Sequence, residues 1–71
     1  MAELELLVLK VGDSYLRLSG DDCREVLLAQ ASVFPLSETE TVRRLLAQVR
    51  SGLFPSAVIR RLELREGPFP D

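Results

Sequence analysis

Apolar and polar positions alternate along the first part of the chain in a pattern typical of β-strands. The run ELELLVLKV occupies residues 3 to 11 and SYLRLS occupies residues 14 to 19, and Gly12 opens the two-residue loop between them. Gly at the first central position of such a loop favours a tight hairpin, because that position requires a positive φ. The sequence therefore predicts a β-hairpin with Val11 opposite Ser14.

This hairpin register divides the side chains between two faces, and both faces carry apolar residues. Leu9 is expected opposite Leu16. Leu7 is likewise expected opposite Leu18, so that these leucines share the face that a helix would cover. Because one helix cannot cover two faces, the second face is left either to the N-terminal residues or the Pro-rich tail of the same chain or to another copy, and a homodimer through this face is predicted. The residues of this predicted dimer face are Leu4, Leu6, Val8 and Tyr15.

Residues 22 to 34 support two interpretations. A short helix would begin at Asp22 as its N-cap, with Glu25 three residues later. A strand over residues 26 to 34 would instead place β-branched and aromatic residues near its end and stop at Pro35. The strand is favoured, and a helical start over residues 22 to 27 stays open.

Residues 37 to 52 carry the pattern of an amphipathic helix. Ser37 and Glu40 have the spacing of a capping box, in which the hydroxyl and the carboxylate bond to backbone N–H groups of the first turn. Gly52 is expected to end the helix in the left-handed conformation, with Leu53 as the apolar residue that follows. One apolar stripe is predicted to face the sheet: Val42, Leu45, Leu46 and Val49.

The last strand is expected over the run AVIRRLELRE, with a bulge at Arg60 and Arg61 because Arg60 interrupts the alternation. The fold class is therefore α+β, a small β-β-β-α-β domain with one helix on one face of a three- to four-stranded sheet. A right-handed crossover would lay the last strand parallel to the strand at 26 to 34 in the same sheet. Phe34 and Ile59 complete the predicted core. The domain spans residues 1 to 66, and residues 67 to 71 form a flexible tail.

Composition narrows the function classes. With 71 residues and 46% apolar side chains, the chain is one small folded domain. Cys23 is its only cysteine and it has no histidine, which argues against disulfides and zinc, so neither a metal nor a cofactor is expected. The first residues lack both a basic leader and a long apolar run. A signal peptide and a membrane span are therefore not expected, and the predicted location is cytoplasmic.

The residues that carry catalysis in other proteins are scarce here. Cys23 has no histidine to activate it and is expected to pack as a small apolar side chain. Asp21 and Asp22 lack the ligand spacing of a calcium loop and are expected to form a turn. The chain is therefore predicted to be a non-catalytic interaction module, which offers its charged helix face to another protein in addition to self-associating.

Charge distribution supports an alternative function. Residues 1 to 41 contain eight acidic and three basic residues, whereas residues 42 to 71 contain six basic and three acidic ones. A basic surface on the helix and the last strand would suit a small nucleic-acid-binding accessory protein. Neighbouring acids such as Glu40 and Glu63 favour an ion-paired, solvated face instead. The arginines of this alternative are Arg43, Arg44, Arg50, Arg60 and Arg61.

Three short segments carry a resemblance to a known group. The segment YLRL at 15 to 18 lies in the predicted hairpin. AQASVF at 29 to 34 precedes the predicted helix, and VIRRLEL at 58 to 64 follows it. In this layout the chain resembles a loose group of small uncharacterised bacterial and phage proteins, β-rich with one helix and an Ala-x-Val-Phe segment before it. The resemblance implies a strand at 26 to 34 and implies no activity.

Overall fold

The structure is a computed structural model that describes residues 3–70 of the chain. It contains five strands, which pair antiparallel in a single sheet, and one α-helix. This confirms a small α+β domain and adds one strand to the predicted number. Two single turns of 3-10 helix, at Leu28–Gln30 and Leu36–Glu38, lie before the α-helix. The elements in chain order are β1 (Glu3–Val11), β2 (Ser14–Ser19), β3 (Asp22–Val26), β4 (Val33–Pro35), α1 (Thr39–Arg50) and β5 (Val58–Arg65).

Two tight turns build the first three strands. Gly12 has a φ of 56° between β1 and β2, and Gly20 has a φ of 59° between β2 and β3. Val11 pairs with Ser14, as the sequence predicts. Glycine reaches this left-handed region without the penalty that a Cβ would bring, so each turn fixes the register of the strands beside it.

The predicted pairing of β1 with β2 is wrong beyond the turn. The two strands pair only at Lys10–Tyr15 and Val11–Ser14, after which β2 diverges. β4 takes its place along β1 and sets Phe34 opposite Leu7, where Leu18 was expected. β2 can diverge because Ser32 binds its vacated edge: the Ser32 N–H donates to the Leu16 carbonyl oxygen at 3.1 Å, and the Leu18 N–H donates to Ser32 Oγ at 2.8 Å.

Residues 22 to 34 follow neither sequence-based interpretation. They form β3, a 3-10 turn and the short β4, so both the strand at 26 to 34 and the helical start at 22 to 27 are wrong. β3 forms early because the turn at Gly20 returns the chain directly along β2, where Ser19 pairs with Asp22 and Tyr15 pairs with Val26. β2 begins at Ser14, so residues after Val26 soon run past its end and the chain turns.

β4, α1 and β5 form a split crossover. β4 and β5 both run antiparallel to β1 and lie along its opposite edges, since Val8 pairs with Val33 on one side and Arg60 on the other. The two strands are thus parallel to each other in one sheet, as predicted, with β1 inserted between them. β5 pairs with β1 in unbroken register over its full length, so the predicted bulge at Arg60 and Arg61 is absent.

The core forms where α1 packs on the predicted face of the sheet. Val42 and Val49 are buried against Leu7, Leu9 and Leu16. Partly buried side chains complete this cluster, which confirms the predicted helix stripe and the predicted core positions of the hairpin. They include Leu18, Phe34, Leu45, Leu46, Phe54 and Ile59.

Both ends of α1 differ from prediction. Ser37 lies inside the preceding 3-10 turn, and no side chain caps the helix at Glu38. Gly52 does not adopt a positive φ, because Ser51 keeps a right-handed conformation at the C-cap and the Phe54 N–H donates to the Val49 carbonyl oxygen at 3.0 Å. Leu53 is 83% exposed, and Phe54 packs on the core in its place.

Candidate functional site

The candidate site lies on the two-stranded ribbon that β1 and β5 form, on the face turned away from α1. Alternation along β1 directs Leu7 and Leu9 toward the helix. Leu4 and Leu6 therefore point to the opposite side, which we call the outer face. Residues directly opposite each other on paired strands share a face, so the outer face is built from cross-strand pairs. These pairs are Leu4 with Leu64, Leu6 with Leu62, Val8 with Arg60 and Lys10 with Val58.

One end of the outer face is apolar and open. Leu4 is 55% exposed and Leu64 is 47% exposed, and Leu6 and Leu62 beside them are half-buried. We call these four leucines the ribbon patch. Exposed Pro35 of β4 borders it, opposite Leu6. Leu36 of the second 3-10 turn lines the same concave surface as Leu4 and Leu64. Because Leu4 and Leu64 stay about half exposed, these leucines form an open apolar surface.

The other end of the outer face is closed, which changes the predicted dimer face. Val8 has no exposed surface, and Val33 and Arg60 flank it on the neighbouring strands. Tyr15 is half-buried, and the Lys10 ammonium lies 5.4 Å from the centre of its ring. A contact through the outer face would therefore use Leu4 and Leu6 directly. Val8 and Tyr15 lie beside them on the same face and are less accessible.

Sequence reasoning did not include Leu62 and Leu64 in this surface. Their common phase with Val58 was visible as period-2 alternation, but their place beside Leu4 and Leu6 depends on the pairing of β5 with β1. These strands are separated by almost fifty residues, and no local pattern encodes that pairing. The antiparallel register is therefore what converts two separate leucine pairs into one patch.

The side of the ribbon opposite the patch is charged. The Arg61 Nε lies 3.4 Å from Glu5 Oε1, and its Nη2 lies 3.6 Å from Glu63 Oε1. All three side chains are largely exposed, so each ion pair contributes about 0 to 1 kcal/mol. The ribbon is thus amphipathic. Its distal part, residues 3–5 with 63–65, pairs with no further strand among the described residues.

The arginines of the nucleic-acid alternative divide between the two sides of the sheet. On α1, Arg43 Nη1 lies 3.3 Å from Glu40 Oε1, and the Arg50 Nε donates to the Ala57 carbonyl oxygen at 2.8 Å. Arg44 is exposed on the same helix. These three belong to the helix side of the molecule.

Arg60 and Arg61 are consecutive on a strand and therefore point to opposite faces. Arg61 lies on the helix side, where it binds Glu5 and Glu63, whereas Arg60 lies on the outer face beside Val8. The five arginines do not form one continuous surface. Nucleic-acid binding stays a prediction, and it would have to use the helix side without Arg60.

A second concave region lies between the β2–β3 turn and the C-terminal end of α1. It encloses about 270 Å³, and Leu45, Val49 and Phe54 form its apolar wall. The half-buried Cys23 thiol lines it next to Asp22. Burial raises the pKa of the Cys23 thiol, and the Asp22 carboxylate raises it further. The thiol is therefore protonated at neutral pH and a poor nucleophile.

We expect Cys23 to react more slowly with iodoacetamide in the folded protein than in the same chain in denaturant at pH 8. The raised pKa lowers the thiolate fraction, and the difference should narrow as the pH rises past the pKa in the folded state. Asp22→Asn, which removes the carboxylate, should speed the reaction of the folded protein. Equal rates in the folded and denatured chain would contradict this account of the thiol.

Residues 3–70 contain no group of three or more cysteine, aspartate and glutamate side chains arranged to hold a metal ion. No helix in that range is long and apolar enough to cross a membrane. Comparisons with protein-family models, curated proteins and solved structures found no match to this chain.

Proposed function

We propose that this protein is a non-catalytic interaction module that self-associates as a homodimer through the ribbon patch. The observation that carries the proposal is the pairing of Leu4 with Leu64 and of Leu6 with Leu62 on one face, where Leu4 and Leu64 are about half exposed. A second copy of the same surface is a common partner for such a patch, because a two-fold axis lets one surface cover itself. The lone cysteine favours a reducing cytoplasm as the place where it acts.

The size of the exposed surface supports this proposal. The chain exposes 5441 Å², about 1,000 Å² more than the roughly 4,400 Å² typical of a monomeric protein of this mass. The exposed residues 66–70 account for part of the excess. A standard interface removes about 800 Å² from each partner, so the chain exposes enough surface for one.

The elongated shape agrees with this surface estimate. The radius of gyration is 13.3 Å, against about 11 Å for a compact chain of this length. A two-stranded ribbon is only marginally stable without a covering layer. Association would add contacts to the part of the ribbon that lies beyond α1.

Replacing Leu64 with Arg should dissociate the dimer. We expect the parent to sediment as a dimer at tens of micromolar, and we expect Leu64→Arg to raise the dissociation constant by at least about tenfold, because a charge replaces an exposed leucine in the contact. Analytical ultracentrifugation over a concentration series measures both values. Leu53→Arg is the matched control, since Leu53 is 83% exposed and lies outside the ribbon.

Far-UV circular dichroism should show that both variants keep the fold of the parent, because neither leucine belongs to the core. A parent that is monomeric at several hundred micromolar would refute self-association. Equal dissociation constants for the parent and Leu64→Arg would show that association uses a different surface.

A further inference from the structure

β5 is an edge strand with features that favour pairing with another strand. It runs over eight residues, Val58–Arg65, and pairs with β1 alone among the described strands. Its register with β1 is unbroken and it contains no proline, so the far side presents a regular row of backbone N–H and C=O groups. Of the devices by which proteins protect such edges, β5 carries charged side chains but neither a bulge nor a proline.

We propose that the second copy binds at this edge, with the β5 strands of the two copies pairing antiparallel about a two-fold axis through Leu62. The inference rests on the proposed self-association and specifies its geometry: the contact uses the Leu62 and Leu64 half of the ribbon patch and leaves Leu4 and Leu6 on the surface beside it. The two sheets would then become one continuous sheet, and Leu62 and Leu64 of the ribbon patch would lie at the junction. The charges along β5 exclude the registers with the axis at Arg60, Arg61 or Glu63, and an axis at Leu64 would overlap the two strands over residues 63–65 only.

A two-fold axis perpendicular to the sheet must pass through one residue of β5, because paired residues have to share a face. An axis at Arg60 or Arg61 sets that arginine against its own copy, and an axis at Glu63 sets two carboxylates against each other. Like charges directly opposite destabilise a strand pair. An axis at Leu62 instead places Arg61 opposite the partner's Glu63, and by symmetry forms this pair twice.

The same register is favourable on the outer face. Leu62 meets the partner's Leu62 at the axis, and Leu64 lies opposite the partner's Arg60. The methylene groups of an arginine can cover a leucine while the guanidinium stays in water. Leu62 and Leu64 of each copy thus extend the apolar surface that Leu4 and Leu6 of the same copy form on β1.

This geometry also leaves room for both helices. α1 meets the sheet near the start of β5, where Arg50 binds Ala57 and where Ile59 joins the core. Ile59 lies three residues from the axis, or about 10 Å along the strand. The two helices therefore lie at opposite ends of the joint strand pair, and the uncovered distal part of each ribbon lies beside the folded body of its partner.

Two substitutions at Leu64 separate edge pairing from packing of one outer face on another. In the edge-paired dimer, Leu64→Arg faces the partner's Arg60 and should raise the dissociation constant at least about tenfold, whereas Leu64→Glu faces the same arginine and should leave it within about threefold of the parent. In a face-packed dimer either charge enters an apolar contact, so both variants should dissociate.

Disulfide trapping tests the register directly in a Cys23→Ser background. Leu62→Cys lies at the axis, where Cα atoms of paired residues are about 4.5 to 5.5 Å apart, within the range that a disulfide spans. Leu64→Cys is the control, because four residues separate it along the strand from its own copy, about 13 Å. We expect mild oxidation to cross-link the first variant into a dimer and to leave the second uncross-linked.

The outcomes distinguish the two proposals. A parent that is monomeric refutes both. A dimer that both Leu64 variants dissociate, or in which Leu64→Cys cross-links as readily as Leu62→Cys, retains self-association and overturns edge pairing about Leu62. Retention of the dimer by Leu64→Glu but not by Leu64→Arg, together with cross-linking at Leu62 alone, supports the axis at Leu62.

Discussion

Replacing Leu9 with Ala is expected to lower the free energy of unfolding by about 2 to 5 kcal/mol, the range for truncating a buried leucine to alanine. Leu9 is 1% exposed, lies in the centre of the sheet opposite Ile59 and belongs to the cluster beneath α1. A single core of this size supplies about 3 to 5 kcal/mol in total. Much of the Leu9→Ala protein should therefore be unfolded at room temperature.

Urea denaturation followed by circular dichroism measures this loss, with every variant at one protein concentration because association would add to stability. Leu53→Ala is the control and should change stability by no more than about 0.5 kcal/mol, since Leu53 is 83% exposed. If Leu9→Ala unfolds at the same urea concentration as the parent, the core does not lie between α1 and β1.

The second large effect is expected at Ser32, which forms hydrogen bonds to the edge of β2 where no strand pairs with it. Its hydroxyl accepts a hydrogen bond from the Leu18 N–H at 2.8 Å and donates one to the Leu18 carbonyl oxygen at 3.3 Å. Ser32→Ala would leave both partly buried backbone groups without these bonds. Leaving such groups unsatisfied costs about 1 to 3 kcal/mol, and we expect a loss of stability in that range.

Ser37→Ala is an informative control for Ser32→Ala. A serine that caps a helix contributes about 0.5 to 2 kcal/mol, but Ser37 lies in a 3-10 turn and no side chain caps α1. The structure thus predicts almost no change for Ser37→Ala and a clear loss for Ser32→Ala. The reverse order would favour the capping box that the sequence suggested and would contradict the bonds of Ser32.

Local patterns predicted the parts of the fold that depend on neighbouring residues. The turn at Gly12 and the first pair of the hairpin follow from a single backbone requirement, and the stripe from Val42 to Val49 follows from helical spacing. The failures lie at junctions. Ser37 lies within a 3-10 turn that leads directly into the helix, so it does not act as the cap. Gly52 needs no positive φ, because Phe54 packs on the core and its N–H binds the Val49 carbonyl oxygen.

The candidate site was predicted in part. Alternation identified Leu4 and Leu6 on a face that the helix could not cover, and the structure places both there. Alternation within β1 could not show that Val8 would be buried, with Val33 and Arg60 as its neighbours, since those residues belong to β4 and β5. Burial at this position depends on strands that are distant in sequence, which alternation within β1 does not report.

The sequence by itself determined which segments become strands and helix where periodicity and turn residues agree, and which side of each contains the core. Only the tertiary structure decided which strands become neighbours. β2 diverges from β1 after two residue pairs, and β4 and β5 pair with the two edges of β1. Each of these pairings depends on backbone hydrogen bonds and packing between residues that are distant in sequence. The ribbon patch is a product of those pairings, since Leu4 and Leu64 meet only when the chain has closed the sheet.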